Sequence, residues 1–236
     1  MPDHLEIYSR QAEQYELLVS REDYQHNIFR ALNQIIPFEG LTVVEFGAGT
    51  GRLTCLLAQV VKFIYAFDGS PHMLDVAMAK LRKSSVQNWQ VAVSDHRHIA
   101  AGEGVAEVAI SGWSICYVVV GNKETWREEL SKALSEMCRV IRPGGMLILL
   151  ETLGTGCEHP EPPIDLVPYY EYLATCGFSR TWIRTDFQFR DITEAETLTR
   201  FFFGEAMVEK NEKGERGVIL PECTGIWWLK QDGGTL

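Results

Sequence analysis

The chain has 236 residues, of which 46% are hydrophobic and 23% are charged, and this composition excludes a wholly disordered protein. Its 22 basic and 32 acidic residues give a formal net charge of −10, which disfavours phosphate backbones and anionic membrane surfaces as partners. We therefore expect neither nucleic acid nor a membrane among its partners.

The amino-terminal stretch and the cysteines give no sign of secretion. Residues 1–15 are polar and charged, and no segment reaches the roughly 20 consecutive apolar residues that span a bilayer. The six cysteines are spaced too widely for a Cys-x-x-Cys zinc or redox pair, so we expect reduced thiols and no bound metal. These features predict a cytoplasmic protein.

The first predicted element is a helical cap over residues 1–37, which Pro37 ends. The chain then alternates between short β-branched runs and amphipathic segments, as parallel strands joined by crossover helices require. The predicted strands are residues 41–46, 63–67, 89–93, 105–110 and 146–151. The predicted helices between them are residues 50–61, a helix that begins at Pro71 with Ser70 as its N-cap, and residues 123–140.

The order of the elements changes after residue 160. A helix at residues 166–176, a strand within 178–189, a helical stretch at 193–209 and a final strand at 217–229 are predicted there. We expect one domain over residues 1–236, with a core at 40–152 and a helical insertion at 190–216 before the last strand. The alternation favours a doubly wound α/β fold, in which helices cover both faces of a mostly parallel sheet.

A glycine-rich turn between the first strand and the next helix is the most informative motif. It reads Glu45-Phe46-Gly47-Ala48-Gly49-Thr50-Gly51. Glycines let the backbone turn tightly and approach a ligand that faces the helix N–H groups. The dinucleotide fingerprint requires glycine at position 52, where the chain has Arg52, and no P-loop Gly-Lys-Ser/Thr sequence occurs. A turn retained only for strand–helix packing is the alternative.

The pattern Glu-x-Gly-x-Gly-x-Gly resembles the first motif of the class I S-adenosylmethionine-dependent methyltransferases. In that family the glycines surround the methionine part of the cofactor, and the acidic residue acts nearby. The resemblance spans about residues 40–152 and includes the turn Arg139-Val-Ile-Arg-Pro-Gly-Gly145. It implies a Rossmann-like fold with a seven-stranded, mostly parallel sheet whose last strand is antiparallel.

The ends of the second, third and fourth predicted strands carry the other matches. Asp68 can accept both ribose hydroxyls of an adenosine, a device that NAD enzymes share. The resemblance implies that Asp95 pairs with the adenine amino group and that residues ending the fourth strand line the cofactor and acceptor. The predicted cofactor-binding residues are Glu45, Gly47, Ala48, Gly49, Gly51, Asp68, Gly69, Met73, Asp95, His96, Ser111 and Trp113.

The resemblance further implies transfer of a methyl group from S-adenosylmethionine to a small-molecule acceptor, with S-adenosylhomocysteine as the product. No Asn/Asp-Pro-Pro-Tyr sequence follows the fourth strand, which argues against the branch that methylates adenine or glutamine amino groups. The predicted acceptor-binding residues are Tyr15, Trp113, His159 and Phe202, and no catalytic residue is assigned. Two alternatives remain, an NAD(P)-dependent oxidoreductase and a non-catalytic protein that binds an adenosyl ligand.

Overall fold

The computed structural model describes residues 4–215 and 217–231, apart from the side chain of Leu5. Three short helices come first, α1 (His4–Arg10), α2 (Ala12–Val19) and α3 (Asn27–Ile35). Residues 1–3 of the predicted cap lie outside the described residues. The third helix begins where it does because the Asp23 carboxylate accepts its first two N–H groups, which have no partner within the helix.

Ten strands in two sheets follow within the described part of the chain. They are β1 (Thr42–Phe46), β2 (Phe63–Asp68), β3 (Trp89–Val93), β4 (Ala106–Gly112), β5 (Ile141–Thr155), β6 (Ser179–Arg184), β7 (Phe187–Phe189), β8 (Glu212–Gly214), β9 (Gly217–Leu220) and β10 (Glu222–Lys230). The main sheet has the order β3-β2-β1-β4-β5-β10-β6, and only β10 runs antiparallel to its neighbours. The expected seven-stranded α/β sheet with an antiparallel last strand is thus confirmed.

Helices cover both faces of the main sheet. Those after α3 are α4 (Arg52–Leu57), α5 (Pro71–Lys83), α6 (Ile115–Gly121), α7 (Trp126–Val140) and α8 (Val167–Thr175). The helices α9 (Ile192–Phe203) and α10 (Glu205–Val208) pack with the small sheet instead. Successive side chains of a strand point to opposite sides, so each strand contributes to two apolar clusters. In β1, Val43 packs with side chains of α3, α4 and α5, whereas Val44 and Phe46 pack with those of α6, α7 and α8.

The small antiparallel sheet β7-β9-β8 differs from the expectation. The predicted strands at 178–189 and 217–229 are each two strands, because the chain passes between the sheets at the buried Asp186 and at Pro221. The Asp186 carboxylate accepts the first N–H of β10, which holds this crossover in place. The segment 190–216 accordingly contains the strand β8 as well as the helices α9 and α10.

A third apolar cluster joins the amino-terminal helices to the small sheet. Leu18 of α2 packs in it with Phe187 of β7, Leu198 of α9 and Leu220 of β9. Because α2 is attached in this way, α1, α2 and α9 lie together. They flank the carboxyl ends of the main strands, where the cavity described next is found.

Candidate functional site

A cavity of about 580 Å³ lies at the carboxyl ends of β1, β2 and β4. Its volume is within the range of about 300–1,000 Å³ that is typical of small-molecule sites. Strand ends and the loops after them form one side, and residues of α1, α2 and α6 form the other. The predicted site residues that line it are Tyr15, Glu45, Gly47, Ala48, Gly49, Asp68, Gly69, Met73, Asp95, His96 and Trp113.

The glycine turn is shaped by two different requirements. Gly47 has a left-handed backbone (φ 74°), and a Cβ there would lie 1.9 Å from Ser114 Oγ, so no side chain fits. Gly51 also has a left-handed backbone, but its missing Cβ faces Ala77 of α5 at 3.0 Å. Gly51 therefore serves the packing of α4 against α5 and does not line the cavity.

Asp68, the last residue of β2, presents its carboxylate to the cavity. One oxygen accepts the Gly49 N–H (2.8 Å) and the other accepts the Ser70 N–H (2.7 Å). Each carboxylate oxygen has two lone-pair sites, so this arrangement orients the group and still leaves a site on each oxygen. A Cβ on the adjacent Gly69 would meet no atom within 4 Å. The end of β2 therefore has both the acceptors and the space for a vicinal diol.

Two buried polar side chains belong to the glycine turn itself, those of Glu45 and Thr50. Glu45 accepts the Thr54 hydroxyl at 2.6 Å, and burial raises the pKa of its carboxyl to about 8. The Thr50 hydroxyl lines the cavity, is buried, and has no hydrogen-bond partner within the described residues. A buried hydroxyl without a partner is uncommon, so this atom is a candidate contact for the polar end of a ligand.

The loop after β3 forms the wall on the other side of Asp68. His96 Nε2 lies 2.7 Å from Ser114 Oγ, and burial lowers the pKa of His96, which favours the neutral imidazole. Asp95 accepts two hydrogen bonds from the Arg97 guanidinium at 2.7 Å, which lower the pKa of its carboxyl to about 2. The Asp95 carboxylate is therefore ionised, and each of its oxygens already accepts a hydrogen bond from Arg97.

An aromatic roof, which we define as Tyr8, Tyr15 and Tyr117, closes the cavity opposite the strand ends. The rings of Tyr8 and Tyr15 meet edge to face at 5.3 Å, and Phe202 of α9 supports Tyr15 from behind at 5.4 Å. Ser70 Oγ donates to the Tyr8 carbonyl at 2.8 Å, which fastens α1 to the start of α5. The roof is therefore assembled from α1, α2 and α6.

Arg52 and Trp113 form the end wall of the cavity beneath β4. The Arg52 guanidinium lies 3.4 Å above the centre of the Trp113 ring and is ion-paired with Glu22. Trp113 has a left-handed backbone (φ 51°), which is rare for a bulky residue, and its N–H donates to the Leu150 carbonyl at 2.7 Å. In the sequence, Arg52 was notable only because the dinucleotide fingerprint requires glycine at this position. In the structure, Arg52 forms part of the cavity wall.

Some predicted site residues lie outside the cavity lining. Ser111 is buried and donates its hydroxyl hydrogen to the Phe46 carbonyl at 2.8 Å. His159 lies beside Trp182 with 6.4 Å between the ring centres, and Phe202 stands behind the roof. Ligand contact remains a prediction for every site residue. Tyr117 and the helix that carries it were not predicted, because the β-branched run after it is atypical of a helix.

Within residues 4–215 and 217–231, no three His, Cys, Asp or Glu side chains are grouped so that they could hold a metal ion. No helix in those ranges is long and apolar enough to cross a membrane. The six cysteines are free thiols, and none is paired as a disulfide.

Known proteins similar to this chain are methyltransferases. Residues 44–149 match the family model of a methyltransferase domain. An uncharacterized methyltransferase of Mycobacterium tuberculosis is 30% identical over 120 residues, 51% of this chain and 43% of the relative. A demethylmenaquinone methyltransferase of Lactococcus lactis is 27% identical over 145 residues, 59% of this chain and 52% of the relative. The chain thus spans about half the length of these curated relatives.

Solved structures share the fold. The YcgJ protein of Bacillus subtilis superimposes with a TM-score of 0.62 at 11% identity, over 89% of this chain and 100% of that one. A SAM-dependent methyltransferase from Aquifex aeolicus gives a TM-score of 0.55 at 18% identity, over 84% and 87% of the two chains. The matched domain contains the glycine turn, Asp68 and the end of β4. Over residues 44–149 the chain is therefore similar to methyltransferases, in agreement with the resemblance that its sequence motifs indicate.

Proposed function

We propose that the protein transfers a methyl group from S-adenosylmethionine to a small-molecule acceptor by in-line displacement and releases S-adenosylhomocysteine. One observation carries the proposal: a single cavity joins the diol-accepting end of β2 to the aromatic roof. The diol-accepting end of β2 suits the adenosyl part of the cofactor. The aromatic roof suits a reaction site from which water is excluded. We also propose that residues 1–236 act as one domain.

Different residues of the cavity bind different parts of the cofactor. Asp68 accepts the ribose hydroxyls, Glu45 and Thr50 face the amino-acid end of the cofactor, and Met73 lies against the adenine. The bound cofactor supplies an electrophilic methyl group on a sulfonium. Aromatic rings attract a nearby cation, and the residues of the roof therefore favour the charged sulfonium over the neutral product. The protein's main task is to hold the nucleophile about 3–3.5 Å from the reacting carbon.

The aromatic roof also limits the size and polarity of the methyl acceptor. Three tyrosine rings and Trp113 surround the space left beside the cofactor's proposed position, so a compact acceptor with apolar surface fits best. The Lactococcus lactis relative is named as a demethylmenaquinone methyltransferase. A screen of candidate acceptors would identify the molecule that is methylated.

The two alternatives make different predictions for binding. An NAD(P)-dependent oxidoreductase binds NAD and not S-adenosylmethionine, and Arg52 at the third fingerprint position disfavours it. A non-catalytic binder retains cofactor affinity and transfers no methyl group. Calorimetric titration with S-adenosylmethionine, S-adenosylhomocysteine and NAD separates the first alternative from our proposal. Transfer of label from methyl-labelled cofactor to a panel of phenols, carboxylic acids, amines and thiols separates the second.

Asp68→Asn tests the adenosyl site directly. The amide keeps the size of the side chain but loses the charge that strengthens bonds from ribose hydroxyls. We expect cofactor affinity to fall about 10- to 100-fold, corresponding to about 1.5–3 kcal/mol. Asp75→Asn, on the exposed side of α5, is the matched control and should bind normally. Unchanged affinity in a folded Asp68→Asn protein would place the cofactor elsewhere, and binding without transfer to any acceptor would favour the non-catalytic alternative.

A further inference from the structure

A chain of hydrogen bonds leads from the aromatic roof away from the cavity. Tyr8 Oη lies 2.5 Å from Tyr117 Oη, and Tyr117 Oη lies 3.4 Å from His4 Nδ1. The other ring nitrogen of His4, Nε2, lies 3.1 Å from the carbonyl oxygen of Phe202. Tyr8 and Tyr117 line the cavity, whereas His4 stands behind them. These hydrogen bonds therefore connect the ligand side of the roof to a histidine outside the cavity.

The carbonyl at the far end determines the direction of every bond in this chain. A carbonyl oxygen only accepts, so His4 Nε2 carries the hydrogen and Nδ1 of the neutral ring is an acceptor. The Tyr117 hydroxyl then donates to Nδ1, and it accepts from Tyr8. Both hydroxyl hydrogens point away from the cavity. The free lone pairs of Tyr8 Oη are left for a donor inside the cavity.

The end of α9 holds the His4 ring in place. Phe202 lies in the last turn of α9, where carbonyl groups lack helical partners and the helix dipole is negative. The His4 and Phe202 rings stack at 4.5 Å with 10° between their planes, which keeps the imidazole against this helix end. A protonated His4 would donate from Nε2 to the same carbonyl, so this bond is kept in both protonation states.

The groups around the two tyrosines favour their neutral hydroxyl forms. Burial raises the pKa of both Tyr8 and Tyr117. The other titratable groups that face these hydroxyls are Tyr15 of α2, Cys116 of α6 and Glu151 of β5, and each of them raises a tyrosine pKa further. The tyrosines can therefore pass a proton along the chain but do not store charge, which leaves His4 as the site where the proton comes to rest.

We propose that His4 is the proton acceptor for methyl transfer, reached through Tyr8 and Tyr117. As the nucleophile gains the methyl group, its proton moves to Tyr8 Oη, the Tyr8 proton moves to Tyr117 Oη, and the Tyr117 proton moves to His4 Nδ1. Both tyrosines end neutral, and His4 ends as an imidazolium that releases its proton to solvent. Resting on the proposed function, this assigns the acceptor class: a protic nucleophile, such as a hydroxyl group, that must lose a proton.

The arrangement can be tested without any acceptor. Long-range ¹H–¹⁵N NMR of the full-length protein, labelled in histidine and saturated with S-adenosylhomocysteine, reports which ring nitrogen of each histidine is protonated. We expect His4 to carry its hydrogen on Nε2, and Tyr117→Phe to shift the Nδ1 resonance. Tyr65→Phe, which removes a hydroxyl from β2 outside the cavity lining, should leave that resonance unchanged. A hydrogen on Nδ1 of neutral His4 would reverse the chain and overturn the proposal.

His4→Gln tests the proton transfer itself. The glutamine amide can donate to the Phe202 carbonyl and accept from Tyr117, but it cannot take a proton. With a protic acceptor from the screen, we expect kcat to fall about 10²- to 10³-fold, as for loss of a general base, with KM and cofactor affinity nearly unchanged. Wild-type kcat should fall at low pH, where the imidazole is already protonated, and the variant profile should be flat there.

The possible failures of these experiments are distinguishable. Wild-type kcat and pH profile in His4→Gln would overturn the role of His4 while methyl transfer itself stands. Transfer only to aprotic acceptors, such as tertiary amines or thioethers, would overturn the acceptor class in the same way. Absence of transfer to every acceptor would count against the proposed function, and the NMR measurement would still decide the direction of the hydrogen-bond chain.

Discussion

Single residues of the cavity differ in whether they serve the fold or leave room for a ligand. A Cβ on Gly47 or Gly51 would collide with neighbouring side chains, and both residues have left-handed backbones. Gly69 differs from both, because its backbone is ordinary and a Cβ there would enter open space beside Asp68. A side chain at Gly69 therefore changes only the cavity, whereas one at Gly47 or Gly51 also strains the chain.

Gly69→Val should weaken cofactor binding and leave the fold intact. The added methyl groups occupy space that we assign to the ribose, and excess volume in a well-filled site costs about 1–3 kcal/mol, or roughly 5- to 150-fold in affinity. Thermal unfolding should stay at the wild-type midpoint, and calorimetric titration gives the affinity. Gly121→Val is the matched control, because a Cβ at Gly121 also meets open space but lies outside the cavity. Equal affinities for both variants would contradict the placement of the ribose.

The residues that could be predicted from sequence are those next to strand ends. Glu45, Gly47 and Asp68 follow directly from the glycine turn and from the last residue of β2, because local spacing alone places them. Arg52 on Trp113 and Tyr117 on Tyr8 depend on packing between segments far apart in the chain. No local pattern encodes such contacts, so Arg52 and Tyr117 were missed although Tyr15 and Trp113 on the same walls were predicted.

Among the elements, α1 and α2 pack chiefly on each other, on α5 and on α9. Besides the apolar contact of Leu18, α2 is held to α5 by Lys80, whose Nζ lies 2.6 Å from a Glu16 oxygen. The same Nζ donates to the Thr50 carbonyl at 3.0 Å, so one side chain ties α2 to the glycine turn. The stability of the roof is thereby linked to the shape of the turn beneath it.

Lys80→Gln should loosen α2 without unfolding the protein. A partly exposed ion pair contributes about 0–1 kcal/mol, so we expect amide hydrogen exchange in Ala12–Val19 to accelerate by up to about 5-fold. Hydrogen-exchange mass spectrometry of the cofactor-free protein measures this directly. Lys132→Gln, which breaks an exposed pair with Glu129 within α7, should leave exchange in α2 unchanged. Equal exchange in the two variants would mean that apolar packing alone holds the helix.

The elements missed in the sequence were missed for two different reasons. The helix α6 contains the β-branched run Val118–Val119–Val120, and tertiary packing against the main sheet outweighs its weak helix propensity. The small sheet is missed because β6 and β7 are separated by only two residues, too few for a turn signal between two apolar runs. The strand β1 is predictable because it is buried on both faces and β-branched residues follow one another in it.

At the scale of the whole molecule, an acidic surface encloses several buried carboxyl groups. Burial raises the pKa of Glu45 to about 8, that of Glu151 to about 7 and that of Glu222 to about 8. Glu151 and Glu222 each have one carboxyl oxygen without a hydrogen-bond partner within the described residues. An unfolded glutamate releases its proton near pH 4.3, so the folded chain retains protons that the unfolded chain has lost.

The sign of the resulting pH dependence follows from proton counting. Between about pH 4.5 and pH 8 these three glutamates bind fewer protons in the unfolded chain than in the folded one, so their contribution to the free energy of unfolding falls as the pH rises. Glu222→Gln removes one such group and supplies an amide N–H₂ that can donate towards the nearby Glu22. We expect the variant to match the wild type near pH 5 and to exceed it by about 1–3 kcal/mol near pH 9.

Urea denaturation at a series of pH values checks this expectation for Glu222. Glu171→Gln, on the exposed face of α8, is the control and should follow the wild-type curve at every pH, because an exposed carboxyl is solvated in both states. A gain at Glu222 that is the same at pH 5 and pH 9 would reflect better packing rather than removal of a buried charge. A loss that grows with pH would mean that the ionised Glu222 is stabilised in the folded protein, and the assignment of a raised pKa would be wrong.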